Sequence, residues 1–314
     1  MKETTVVRVG EREVALTNLN KMMWPDDAIT KGDLIGYYVQ VAPYLLPYLR
    51  ERALVFTRYP DGIGGKAFYQ KDRPSPAPDW IRTVPVEHKD AGRVVDYVLA
   101  DEPAALAWIA NLACIEIHPW LSSIRNPDNP DFAVFDLDPA EGATFDDVRT
   151  VAGLVRQVLS DFGLAGYLKT TGATGLHVFV PVRPLWSYDQ VRLTVEFVAR
   201  LVCKAYPKRV TLERVIERRR GKVYIDYLQN IKGKTLVSIF SPRPRPRAPV
   251  SFPVSWADLP DVNPNMFTLR NAVIELGRRG DPFSGCLVER QDLGLVLQAA
   301  APDRIDTLPV ESPH

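Results

Sequence analysis

Apolar positions in the first part of the chain recur with period two before they recur with period 3.6. Thr5-Val6-Val7-Arg8-Val9 and Glu13-Val14-Ala15-Leu16 alternate on either side of Gly10-Glu11, which predicts a β-hairpin over residues 4–16. Asn18 to Pro25 reads as a polar loop carrying an exposed Trp24. Thr30-Lys31-Gly32-Asp33 is a capping sequence, and Leu34, Ile35, Tyr38, Val41, Leu45 and Leu49 then form one apolar stripe, so a helix is expected to about Leu49. Leu54–Tyr59 follows as a strand, with a turn at Gly62-Ile63-Gly64-Gly65 and a loop at Pro74–Pro78. Strands near 81–88 and 93–98, a helix over about 103–112, and a proline-ended strand Cys114–Trp120 complete this part.

The middle of the chain mixes the two periods. Ala133–Asp138, Gly166–Thr170, Leu176–Val182, Val223–Leu228 and Leu236–Ile239 read as strands, and Asp146–Phe162 and Tyr188–Tyr206 as helices. Proline alternating with arginine from Ser241 to Pro253 excludes a sheet interior and predicts an extended surface segment. Helices near Leu269–Arg278 and Gln291–Ala299 precede a frayed tail. No long linker interrupts the pattern. The expected fold class is therefore α+β, one catalytic unit with an N-terminal subdomain wrapped onto it.

The chain has 314 residues, 46% of them hydrophobic and 25% charged, which excludes disorder, and nothing in it repeats as a solenoid would. The longest apolar runs fall far short of the ~20 residues of a membrane span, and the N-terminus carries no hydrophobic leader, so no membrane association and a cytoplasmic location are expected. Cys114, Cys203 and Cys286 are too dispersed for a thiolate metal site or a disulfide framework and read as buried, reduced thiols. A net charge of +1 hides an asymmetry. Residues 204–247 contain thirteen Lys and Arg against Glu213, Glu217 and Asp226, a local +10 that fits a polyanionic partner.

Candidate chemistry lies in three places. In Phe135-Asp136-Leu137-Asp138-Pro139 a strand aims Asp136 and Asp138 to one face, roughly 6–7 Å apart. Two such carboxylates repel unless a cation sits between them, and hard oxygen ligands select Mg²⁺ or Mn²⁺. Thr170-Thr171-Gly172-Ala173-Thr174-Gly175-Leu176-His177 offers backbone N–H groups, the Thr171 and Thr174 hydroxyls and an imidazole to a phosphate. Val223-Tyr224-Ile225-Asp226-Tyr227-Leu228-Gln229-Asn230 places a third acid in an apolar strand, where shared cations would offset its cost. Together these are the parts of a phosphoryl-transfer site using two divalent ions.

These three motifs, taken together, resemble the polymerase domain of ligase D, a primase-polymerase of the archaeo-eukaryotic primase superfamily, over Thr17 to about Ala300. The resemblance implies an RRM-like core of antiparallel and mixed sheets flanked by helices. It implies one domain over 1–300, with a DNA-end-binding part at about 1–100, a catalytic core at about 101–255, C-terminal helices at about 256–300 and a tail at 301–314. The implied activity is template-directed addition of nucleotides, preferentially ribonucleotides, to 3′ ends at gaps and breaks in non-homologous end joining. Asp136, Asp138 and Asp226 match the metal-binding triad. Thr171, His177, Arg219, Gln229 and Arg243 match positions that hold the incoming NTP or dNTP, with Thr174 beside them and His118 adjoining. Asn18, Lys21 and Lys31 match a pocket for the 5′-phosphate of a downstream strand, and Phe68 and Tyr69 an aromatic pair that stacks on template bases. Thr171 stands where the family usually has serine, and Thr174 where many members have lysine. Without the family's ligase and nuclease modules the chain reads as a stand-alone, nucleoid-associated form whose partners are Ku and a separate DNA ligase.

Two other readings start from the same residues. Val134-Phe135-Asp136-Leu137-Asp138 fits the nucleophile motif of haloacid-dehalogenase-type phosphatases, although Ala140 stands where that family wants Thr or Val. The basic tract with Asn18, Lys21 and Lys31 also fits a non-catalytic DNA-end-binding module.

Overall fold

Thr30 and Asp33 close a reciprocal cap at the start of the longest helix. The Thr30 hydroxyl accepts from the Asp33 N–H at 3.1 Å, and the Asp33 carboxylate accepts from the Thr30 N–H at 2.7 Å. The computed structural model describes residues 4–88 and 92–300, so the expected tail at 301–314 lies outside the described residues. The chain divides into two compact units. One holds the residues through Trp120 with Thr235–Pro253 and Pro264–Asp281; the other holds Leu121–Lys234, Val254–Asn263 and the chain from Pro282.

In the first unit, β1 (Thr4–Val9) and β2 (Arg12–Thr17) form the expected hairpin, with Val14 and Leu16 turned inward. The segment read as a polar loop instead contributes β3 (Met22–Trp24), which pairs with β4 (Ile29–Thr30). Trp24 is fully buried there rather than exposed. Its indole is large enough to fill a core site, a property that the polar neighbours conceal. The helix α1 (Lys31–Leu49) keeps all six predicted stripe residues buried. It runs through Pro43 and Pro47, so tertiary burial outweighs the two lost backbone donors.

Strands β5 (Leu54–Arg58), β6 (Phe68–Gln70), β7 (Thr83–His88) and β8 (Arg93–Val98) form an antiparallel sheet. After α2 (Pro103–Asn111), β9 (Cys114–Pro119) adds to β5. The strand expected at Leu236–Ile239 is absent, and the chain turns there instead. Nor is Ser241–Pro253 a surface segment. Only Arg245, Pro246 and Arg247 are exposed, while Ser241, Pro242 and Ala248 to Pro253 are buried. Proline lacks a donor to satisfy, and the N–H groups between the prolines are paired, Arg243 with Pro249 O at 2.7 Å and Ser251 with Ser241 O at 3.0 Å, so this segment can pack inside. Phe252 stacks on Phe267 at 4.0 Å, and the Ser241 hydroxyl accepts the Ile117 N–H at 3.1 Å.

The second unit is built on a sheet ordered β13-β14-β10-β12-β11, from β10 (Phe132–Pro139), β11 (Tyr167–Thr170), β12 (Leu176–Pro181), β13 (Val210–Thr211) and β14 (Val223–Asp226). A short edge strand at Val254 follows β11. All pairs are antiparallel except β13 with β14. The helices α3 (Phe145–Asp161) and α4 (Tyr188–Ala205) pack on each other and on β10. Both start at capping boxes, Thr144 with Asp147 and Ser187 with Gln190. Cys114 and Cys286 are buried and reduced, and Cys203 is half-buried rather than buried.

The expected strand Val223–Leu228 stops at Asp226 and becomes a 3-10 turn, Tyr227–Asn230. That turn brings Asn230 against β10. Its side-chain amide accepts the Val134 N–H and donates to the Val134 C=O, both at 2.8 Å, and so replaces a strand partner. Asn230→Ala strips two buried backbone groups of their partners. It should lower unfolding free energy by ~1–3 kcal/mol in denaturant titrations with an unchanged m value.

Candidate nucleotidyl-transfer site

Four residues of the second unit lie directly opposite one another across four adjacent strands. Lys169 of β11 faces His177 of β12, His177 faces Asp136 of β10, and Asp136 faces Asp226 of β14. Directly opposed residues share a face of the sheet, so a lysine, a histidine and two carboxylates form one row. Asp138 lies two residues beyond Asp136 on that same face, exposed where Asp136 is buried.

The side chains of the row differ in their surroundings. His177 Nε2 lies 3.0 Å from Asp136 Oδ1, and both residues are buried. Asp226 accepts the Tyr224 hydroxyl at 3.1 Å, the Leu228 N–H at 3.0 Å and the Gln229 amide at 3.2 Å. Burial, then the charge of Asp226, pushes the Tyr224 phenol well above its ordinary range. Lys169 is almost wholly buried, with its ammonium 5.6 Å from the Phe179 ring centre.

The glycine-rich turn abuts the acids. A side chain at Gly175 would place its Cβ 2.2 Å from the Leu137 carbonyl oxygen and 3.2 Å from Asp138 Oδ1. Only glycine allows that approach. Gly172 takes a φ of +67°. Within the turn the Thr171 hydroxyl accepts the Ala173 and Gly175 N–H groups, each at 3.1 Å. Thr171 is buried and Thr174 is exposed. An all-oxygen set of three carboxylates on one face, one of them against a glycine-lined turn, suits a hard divalent cation. Their oxygens are nevertheless not gathered about one point. Among the described residues no three His, Cys, Asp or Glu side chains form a ready-made metal cage.

Arg219 lies 3.6 Å over the Tyr224 ring and donates to the Glu213 and Arg214 carbonyls at 2.7 and 2.6 Å. It therefore braces its own basic loop. Lys204, Lys208, Arg209, Arg214, Arg218 and Arg220 are exposed around that loop. The basic tract read from the sequence is split: residues 204–234 belong to this unit, and Arg243, Arg245 and Arg247 to the other.

The remaining expected site residues fall in the first unit. His118 and Glu116 share a face of β9, opposite Val55 and Thr57 of β5. His118 Nε2 lies 2.9 Å from the Thr57 hydroxyl and 3.8 Å from Glu116 Oε2, and Arg243 forms an ion pair with Glu116, Nε lying 2.8 Å from Oε1. Burial alone would raise the Glu116 carboxyl, but a hydrogen bond from His118, the charges of Arg243 and His118 and a hydrogen bond from Thr57 hold it below its ordinary range. Tyr69 joins this cluster, its ring 6.0 Å from that of His118. Phe68 is the adjacent residue of β6 and so faces the other way, under the Arg58 guanidinium at 5.1 Å. Both aromatics are exposed, Tyr69 at 69%.

Asn18, Lys21 and Lys31 meet at the start of α1. The Lys21 N–H donates to Asn18 O at 3.0 Å and the Lys31 N–H to Lys21 O at 2.8 Å. Lys21 is half-exposed and pairs with Asp61 at 2.9 Å. Lys31 is 3% exposed, and its ammonium donates to Asn111 O, Asn111 Oδ1 and the Thr17 hydroxyl at 3.0, 2.9 and 3.3 Å. A helix-start lysine reads as solvated in sequence; here it clasps β2 and α2. Lys169, Glu116 and Asn230 are the residues the sequence reading left without a role. A charged or amide group inside an apolar strand or motif was the available signal.

The family model for "LigD, primase-polymerase domain" matches residues 30–283. The chain is 30% identical over 273 residues to the bifunctional non-homologous end joining protein LigD of Bacillus subtilis, covering 86% of this chain and 44% of that protein. It is 33% identical over 291 residues to the multifunctional non-homologous end joining DNA repair protein LigD of Mycobacterium tuberculosis, covering 90% and 37%. The chain thus spans less than half the length of these curated relatives. Among solved structures it superposes on the polymerase domain of Mycobacterium tuberculosis ligase D in complex with DNA. The TM-score is 0.82 at 31% identity, over 88% of this chain and 99% of that one.

Two outcomes check the geometry. Lys31→Met should lower stability by ~1–3 kcal/mol in denaturant titrations, because three half-buried acceptors lose the ammonium they share. Lys21→Met, which breaks an exposed pair, should shift it by less than about 1 kcal/mol. Glu116 is held below its ordinary value of 4.5, so its stabilisation is complete above that pH and is lost as pH falls through the lower folded value. Acid titration of stability should therefore be steeper below pH 4.5 for the parent than for Glu116→Gln.

Proposed function

The chain belongs to the LigD primase-polymerase family, a family of DNA polymerases and nucleotidyltransferases, and from that premise we propose that it extends 3′ ends at gaps and double-strand breaks under the direction of a template. The observation that carries the proposal is the register of the acids. Asp136 and Asp226 are direct cross-strand partners, Asp138 shares their face, and the Thr171–Gly175 turn abuts Asp138. In this reading the three carboxylates hold two divalent ions, Mg²⁺ or Mn²⁺, which when bound acidify the attacking 3′-hydroxyl and offset charge on the departing pyrophosphate.

The chain's own residues position the reactants. His177, oriented by Asp136, and the Thr171 hydroxyl donate to phosphate oxygens of the incoming nucleotide, with Thr174 at the rim. Gln229 releases Asp226 and turns its amide to the nucleotide. Arg219, His118 and Arg243 add contacts to it, and ribonucleotides are the preferred substrates. Tyr69 and Phe68 present flat faces to unpaired bases. Lys21 and Asn18, with Lys31 beneath them, receive the 5′-phosphate of a downstream strand. The domain runs over residues 1–300, and it works with Ku and a DNA ligase in the cytoplasm, at the nucleoid. The dehalogenase-type phosphatase reading has no support from the family match. A non-catalytic end-binding role leaves the aligned acids without a purpose.

Primer extension on a short gap carrying a 5′-phosphate, with ribo- or deoxynucleoside triphosphates and Mg²⁺ or Mn²⁺, tests this. Asp136→Ala should abolish extension while DNA affinity stays within about threefold of the parent. Equal extension by the two proteins would remove the site. Affinity for DNA should fall steeply and log-linearly with salt, as phosphate contacts release counterions; a flat response would remove the basic surface from the account.

A further inference from the structure

Glu116 has no part in the proposed chemistry as set out so far, yet it is among the most deeply placed charges in the first unit. It is 5% exposed and lies in the middle of β9. A carboxylate in that position costs several kcal/mol unless cations and donors surround it. It meets them from three separate stretches of chain: Arg243 Nε at 2.8 Å from the loop after Ser241, His118 Nε2 at 3.8 Å from its own strand, and Thr57 opposite it on β5. Its two oxygens face two different basic side chains, Oε1 to Arg243 and Oε2 to His118. That ion pair draws the Arg243 guanidinium to Glu116, and its side chain remains 22% exposed. The His118 ring is held in the same way from its Nε2 edge, between Thr57 and Glu116, with Tyr69 against it.

We propose that Glu116 is a positioning residue for nucleotide binding: it holds Arg243 and His118 in one fixed arrangement, so that both meet the incoming nucleotide without first having to be ordered. This deepens the proposed function and rests on its assignment of Arg243 and His118 to the nucleotide. Without the carboxylate, Arg243 keeps its charge but loses the ion pair that holds it in place, and ordering it again on binding weakens affinity. Loss of a group that strengthens ground-state and transition-state binding equally raises KM and leaves kcat alone. A group that merely supports the sheet would instead lower stability and impair every ligand together.

The test compares the parent, Glu116→Gln and Glu116→Asp in steady-state extension of a gapped duplex, with equilibrium binding of a fluorescent ribonucleoside triphosphate and of the gapped DNA measured separately. Glu116→Gln keeps the shape and removes the charge; Glu116→Asp keeps the charge but falls short of both partners. The expected result for Glu116→Gln is a nucleotide KM and dissociation constant raised about tenfold or more, with kcat and DNA affinity within about threefold. Glu116→Asp should fall between Gln and the parent. In an Arg243→Gln background the same substitution should change KM by less than about threefold, because the partner it positions is gone. If Glu116→Gln does not fold, the Glu116→Asp protein decides alone, by a raised or an unchanged KM. Unchanged nucleotide affinity, or a parallel loss of nucleotide binding, DNA binding and kcat, overturns the inference. A parent that neither binds nor incorporates nucleotide overturns the proposed function with it, whereas an active parent matched by Glu116→Gln overturns this inference alone.

Discussion

Like charges do not sit opposite one another in an antiparallel ladder without compensation, and Asp136 faces Asp226 across the β10–β14 pair. Everything distinctive in the second unit follows from that constraint. His177 lies against Asp136 from the other side, and Lys169 stands next in the row, so two basic side chains adjoin two acidic ones across four strands. Asp226 is met by a phenol, a backbone N–H and an amide. In the protein by itself these groups offset the carboxylates. In the proposed reaction the same carboxylates exchange such partners for divalent ions, and the donors turn to the nucleotide.

The local backbone is shaped to keep that row in place. β14 ends at Asp226 and tightens into a 3-10 turn, which lets the Leu228 and Gln229 donors fold back onto the acid they follow. The turn delivers Asn230 to Val134, where its amide completes the β10 ladder just as β14 leaves it. On the other side of β10, the absence of a Cβ at Gly175 brings the turn onto Leu137 and Asp138. One strand is thus fixed along both edges by motif residues whose job is backbone geometry rather than chemistry.

The first unit repeats the device with opposite emphasis. Tyr69, Thr57 and Glu116 lie opposite one another across β6, β5 and β9, and a single buried carboxylate there collects two basic side chains. Arg243 reaches it because the proline-rich segment is folded inward. Prolines alternate with arginines there, and a chain with few donors can be buried at low hydrogen-bonding cost. The same composition that suggests a solvated surface strand is therefore compatible with a packed one.

Periodicity and capping determined a great deal locally: the hairpin, α1 with its whole stripe, the pairing of hydrophobic strands with two capped amphipathic helices, and the placing of Asp136 and Asp138 on one face. These are properties of residues a few positions apart, and alternation or a 3.6-residue repeat expresses them directly. The resemblance carried by the three motifs extended that to the family, because those motifs hold the acids of the row and the turn that abuts them. The tertiary structure alone decided which strands are neighbours, that Asp136 meets Asp226 and His177, that Trp24 and the segment after Ser241 are buried, and that the Lys31 ammonium turns inward. Each of these depends on partners far away in the chain, such as Asn111 for Lys31 and Glu116 for Arg243. A linear pattern records what a residue is and what its near neighbours are, but whether a charge or an indole is solvated is settled by what packs against it.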